Sequence, residues 1–65
     1  MRRIGQEIRR VRQERGLTQW QLSTMVGITP GRMLLIERGE CCPSDLMNAI
    51  AEALGVTVAE LCGKQ

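Results

Sequence analysis

The sequence predicts a small all-α domain of five short helices. Three observations carry that expectation. Apolar residues recur at three- and four-residue spacing, capping residues and glycines punctuate them at short intervals, and no stretch alternates apolar with polar as a half-buried strand does. The expected helices run over 3–15, 18–26, 29–38, 44–54 and 57–62.

Each element has its own reason. Ile4, Ile8 and Val11 share a helical face, and Gly16 follows Arg15 as a stop. Thr18 caps the second helix, with Gln21 three residues on as the other half of a capping box. Leu22, Met25 and Val26 are its apolar residues, and Gly27 ends it. Thr29 caps the third helix, and Pro30 takes the first helical position, where a missing N–H is harmless. Met33 and Ile36 face inward there, and Gly39 closes it. After the loop Glu40-Cys41-Cys42-Pro43, Ser44 is expected to cap the fourth helix. Its broad apolar face is Leu46, Met47, Ala49, Ile50, Ala53 and Leu54, and Gly55 stops it. Thr57 and Glu60 form a second capping box around Val58 and Leu61.

Composition bounds what such a chain can do. The 65 residues are expected to form one domain over 1–65. A chain of this size buries only about 60% of the surface its unfolded form exposes, so the core must be efficient. Trp20 is the only aromatic residue, which leaves Leu, Ile, Val, Met and Ala to build it. No run approaches the roughly 18 apolar residues of a membrane span, and no apolar signal stretch follows the basic start. A soluble, cytoplasmic chain is expected. Cys41, Cys42 and Cys62, without any histidine, fall short of the four ligands of a structural zinc site. A bond from Cys41 or Cys42 to Cys62 stays open on sequence alone, but an odd count fits a reducing compartment. The thiols read as small hydrophobes, and no metal or cofactor is expected.

Charge is uneven along the chain. Through Arg38, eight arginines (Arg2, Arg3, Arg9, Arg10, Arg12, Arg15, Arg32 and Arg38) stand against Glu7, Glu14 and Glu37. From Gly39 onward, Lys64 stands against Glu40, Asp45, Glu52 and Glu60. An arginine-rich half suits phosphate contact, because the guanidinium fork matches phosphate oxygens. Charge alone fits a solvated helix face with i,i+4 pairs equally well.

Residues 19–38 decide between these. Two helices joined by a short turn containing glycine form a helix-turn-helix. Such a crossing needs a small residue where the helices meet, supplied by Ser23, and a turn residue that accepts positive φ, supplied by Gly27. Leu22, Val26, Ile28, Met33 and Ile36 are placed to wedge the pair at a fixed angle.

Set beside these spacings, Gly16-Leu17-Thr18-Gln19, Leu22, Gly27-Ile28-Thr29, Ile36-Glu37-Arg38-Gly39, Pro43-Ser44 and Ala53-Leu54-Gly55-Val56 resemble the lambda repressor/Cro-type (XRE-like) helix-turn-helix family, from about Ile4 to Leu61. The resemblance implies a five-helix lambda-repressor-like fold that binds double-stranded DNA, often as a homodimer, with the third helix in the major groove. It assigns Gln19 to the DNA backbone or an outer base. It places Thr29, Pro30, Gly31, Arg32 and Leu35 along the groove and Arg38 at phosphate. The plainer readings are a solvent-facing glutamine and a surface charge favoured by the helix dipole.

Arg12 and Glu37 read differently. At about 100° per residue, Glu37 lies beside the inward Met33 and Ile36, and an inward carboxylate needs a partner. Arg12, at the edge of the Ile4-Ile8-Val11 stripe, is that partner, and the family pairs the same two positions. The pair is read as scaffold, with Arg12 also near phosphate.

Specificity is expected to be sparse. Bases are mostly read by Arg, Lys, Asn or Gln, yet the outer side of the third helix offers Pro30, Gly31, Leu34 and Leu35. That leaves Gln19, Arg32, backbone contacts and DNA shape. A rival reading makes Trp20, Leu34 and Leu35 a patch for a protein partner, as in an antitoxin or a regulator's partner module. The plain alternative for Trp20 is partial burial over the first helix. An enzyme is not expected, since the chain has no His or Tyr and no phosphate-cradling glycine loop. Val56, Val58, Leu61 and Cys62 are the expected dimer surface.

Overall fold

Among residues 4–62, which the computed structural model describes, the chain forms five α-helices and no strand. They are α1 (Ile4–Glu14), α2 (Gln19–Val26), α3 (Pro30–Glu37), α4 (Ser44–Leu54) and α5 (Val58–Leu61). The helix start expected at residue 3, together with Arg2, Arg3 and Lys64, lies outside the described residues. Thr18, Thr29 and Thr57 stand just before their helices as N-caps, which accounts for the one-residue differences at those ends.

The caps explain why such short helices hold. Thr18 Oγ1 accepts from the Gln21 N–H at 3.0 Å, and Gln21 Oε1 accepts from the Thr18 N–H at 2.8 Å. Thr57 and Glu60 repeat the reciprocal pair at 3.1 and 2.7 Å. Thr29 Oγ1 accepts from the Arg32 N–H at 3.1 Å. Ser44 does not cap α4. Pro43 holds the cap position with extended backbone and no side-chain hydrogen bond, and its carbonyl accepts from the Met47 N–H at 2.8 Å. Proline there fixes φ near its ring value and carries the chain straight into the helix, so Ser44 becomes the first helical residue.

The core is aliphatic, as a chain with one aromatic residue requires. Ile8, Val11, Leu22, Met33, Ile36, Met47, Ile50, Ala51, Leu54 and Leu61 are buried together. A fully buried side chain of this kind contributes about 1.5–3 kcal/mol. α2 packs on α3 and α4, while α1 packs on α3, α4 and α5. Met25 was expected inward but is 55% exposed. In an eight-residue helix the inward side is narrow, and Leu22 and Ser23 fill it, with Val26 half-buried at its edge.

Two close approaches set the angle of α3. At the α2–α3 turn, Gly27 takes φ +81°, and its N–H and that of Ile28 both donate to Ser23 O, at 2.8 and 3.0 Å. Ser23 itself is wholly buried and donates its hydroxyl to Gln19 O at 2.6 Å, so the small residue at the crossing leaves no polar group unpaired. At the far end of α3, a Cβ on Gly5 would press into the Ile36 carbonyl and lie 2.6 Å from Glu37 O. Backbone of α1 therefore rests directly on the last turn of α3.

Candidate nucleic-acid interface

The interface begins with what locks α3 from behind. Arg12 Nε donates to Glu37 Oε2 at 2.8 Å and Arg12 Nη2 to Glu37 Oε1 at 3.2 Å, a two-pronged pair in which both residues are buried. Arg12 Nη1 donates to Leu17 O at 2.8 Å. A buried pair is costly to desolvate and is tolerated only when its remaining donors are satisfied. Here none of the described buried side-chain polar atoms lacks a partner. Three of the five guanidinium N–H groups are thus engaged inside the domain, and Arg12 also lines an open cleft with Arg9 and Arg38.

Gln19 is the third member of this network. Its Nε2 donates to Glu37 Oε1 at 3.1 Å, tying the start of α2 to the end of α3. One amide N–H is thus spent within the chain, leaving the other and the carbonyl oxygen.

The remaining arginines sort by partner. Arg10 is clamped by Glu7 and Glu14, each at 2.7 Å, and its hydrogen bond to Glu7 leads the causes that raise its pKa. Arg15 Nε donates to Leu54 O at 2.8 Å, satisfying the carboxyl end of α4. Arg9, Arg32 and Arg38 are exposed and have no ion-pair partner among the described residues. Arg9 was not singled out from sequence, yet it lines a cleft of about 580 Å³ with Gln19, Leu34 and Arg38. The signal that would have found it is Gly5, one turn earlier, which lays α1 against the end of α3.

The outer side of α3 is open. Thr29, Pro30, Gly31, Arg32 and Arg38 are exposed, and Leu34 and Leu35 are 42% and 46% exposed. α3 also has no acidic residue in its first turn, so nothing there opposes an approaching anion.

Several expectations fail elsewhere. Trp20 is 65% exposed. Leu61 is 1% exposed and belongs to the core, so it is unavailable as a dimer contact. In this four-residue helix it is the last residue, Leu61, that reaches inward. Val56 and Val58 are half-buried against the core, and Cys62 is half-buried. The cysteines are unbonded, and among the described residues no three His, Cys, Asp or Glu side chains converge to hold a metal. Burial pushes the Cys42 thiol up, with Arg32 opposing, which favours the neutral thiol. No helix among the described residues is long and apolar enough to cross a membrane.

A capped α2, a glycine turn and an exposed, basic-flanked α3 define a helix-turn-helix domain. The chain belongs to the helix-turn-helix domain family, whose model matches residues 3–61. It is 36% identical over 63 residues to the immunity repressor protein of Bacillus phage phi105, a match covering 95% of this chain but 44% of that relative. It is also similar to the crystal structure of the clp gene regulator ClgR from Corynebacterium glutamicum, with 30% identity and a TM-score of 0.89, covering 92% of this chain and 65% of that one. A third match is the master regulator for biofilm formation SinR, solved in complex with DNA. It has 30% identity and a TM-score of 0.81, covering 89% of this chain and 95% of that chain.

Proposed function

We propose that this chain is a sequence-specific binder of double-stranded DNA and a transcriptional regulator of the repressor type, with α3 in the major groove. The observation that carries the reading is the contrast within α3. Its inner side is locked to α1 and α2, while its outer side is bare and lies among Arg9, Arg32 and Arg38. An element that reads a groove must be rigid from behind, unobstructed in front and flanked by cations for the phosphates. The repressor relative and the DNA-bound structural neighbour support the same reading.

Within it, Arg38 and Arg9 meet phosphates across the cleft, and Arg32 reaches a guanine edge. The Thr29 hydroxyl, which accepts from Arg32 N–H, still has a proton to donate to a phosphate. Gln19 uses its free N–H or carbonyl on the backbone or an outer base while Glu37 fixes its direction. Pro30, Gly31 and Leu35 meet the groove by shape. This is binding, not catalysis: the chain has no histidine to serve as base, and its half-buried thiol at Cys42 is held neutral.

Two copies on half-sites about one helical turn apart would raise affinity and specificity. Val56, Val58 and Cys62 are the residues left for that contact. Sedimentation on a two-half-site duplex checks it, with one copy per duplex at saturation as the contrary result.

The test of the reading is selection of bound duplexes from a random pool, followed by titration at several salt concentrations. Affinity should fall steeply with salt, because phosphate contacts release counterions. Arg38→Ala should weaken every sequence alike, whereas Arg32→Ala should change base preference. Indifference to duplex DNA at low ionic strength would overturn the reading.

A further inference from the structure

Six glycines fall among the described residues, and five have a reason inside the chain. Gly16, Gly27, Gly39 and Gly55 take positive φ, and Gly5 makes room for the backbone of α3. Gly31 has neither reason. Its φ is not in the positive region, it is helical, and a Cβ built on it would meet nothing within 4 Å. Alanine is the better helix former at such a position. What glycine provides here is therefore sought outside the chain, in a partner that comes closer to the α3 backbone than a side chain permits.

We propose that Gly31 is a steric notch that seats the 5-methyl group of a thymine, selecting a T·A pair at one place in the bound site. The proposal rests on the DNA-binding reading above and names a specificity device within it. Its walls decide the occupant. Gly31 and Leu35 stand four residues apart on one face of α3, with Pro30 beside them, and all are exposed. Neither the proline nor the leucine side chain offers a hydrogen bond, so the complement is apolar. On the floor of the major groove, the thymine methyl is the apolar group that base pairs present. Of the exposed cations, Arg9 and Arg38 line a cleft that neither Gly31 nor Leu35 lines, and Arg32, the residue after Gly31, flanks the notch.

The experiment is a cycle between one methyl added to the protein and one removed from the DNA. Wild type and Gly31→Ala are titrated with the duplex selected from the random pool, and with copies in which each thymine in turn is replaced by deoxyuridine. Gly31→Ala should raise Tm by about 2–8 °C, showing an intact fold. On the selected duplex it should bind about tenfold or more weakly, as a mismatched base pair does. At one thymine, deoxyuridine should weaken wild type about fourfold and restore most of the variant's loss. Wild type without salt-dependent duplex binding would overturn the DNA reading and this proposal with it. Wild type binding normally while Gly31→Ala binds equally well overturns the notch and leaves the DNA reading standing. A loss in Gly31→Ala that no deoxyuridine restores overturns the assignment to thymine.

Discussion

The two sides of α3 obey different rules. Inward, Met33 and Ile36 are buried, Glu37 is held by Arg12 and Gln19, and the Ile36 carbonyl lies against Gly5. Outward, Gly31, Leu34, Leu35 and Arg38 are exposed, and a Cβ on Gly31 would meet nothing within 4 Å. Over eight residues, one helix thus carries both a dense set of intramolecular constraints and a surface open to solvent. The lesson is that its rigidity and its recognition chemistry are physically separable. Inner substitutions should act on stability, and outer ones on binding.

The largest expected effect breaks the inner side. Glu37→Ala leaves Arg12 buried without its counter-charge and should cost about 3–5 kcal/mol in a denaturant titration. Replacing both partners with apolar residues (Arg12→Met with Glu37→Leu) should recover most of that loss, because no orphaned charge remains. A single-site loss under 1 kcal/mol would mean the pair is not what holds α3.

Gly5→Ala comes next, at about 1–3 kcal/mol, since its methyl must displace α3 backbone. The same glycine-to-alanine change at Gly31 should stabilise the fold, so the two define the comparison by opposite signs. Thr57→Ala, far from the interface, should cost about 1 kcal/mol through loss of a capping box, with DNA affinity retained by the remaining folded protein. Arg38→Ala sharpens the outer side. Stability should move by no more than about 0.5 kcal/mol. The salt dependence of binding should lose about one counterion from its slope.

What could be read from the sequence was mostly local. Thr18 with Gln21, Thr57 with Glu60, and Pro30 after Thr29 each encode a helix start within four residues, and the structure has helices there. The five-helix, all-α arrangement and the helix-turn-helix were legible for that reason. The inward acid at position 37 was legible too, because burying a carboxylate demands a cation. Failures came where a residue's role depends on distant chain. Gly5 looks like a poor helix residue until α3 lies across it, and Arg9 gains its place in the cleft by the same crossing. Gln19 reads as an outward polar residue, since nothing local announces an acceptor 18 positions away. Leu61 and Met25 exchanged expected roles because helical periodicity is weak evidence over four and eight residues. Ser44 failed as a cap because the preceding proline had already set the backbone.

Nuclear magnetic resonance mapping of backbone amides, with the selected duplex added at low ionic strength, tests the separation most directly. The account predicts the largest shifts from Thr29 through Arg38, with smaller ones at Arg9 and Gln19. Shifts concentrated around Trp20 and Met25, or an α3 that does not respond, would contradict it.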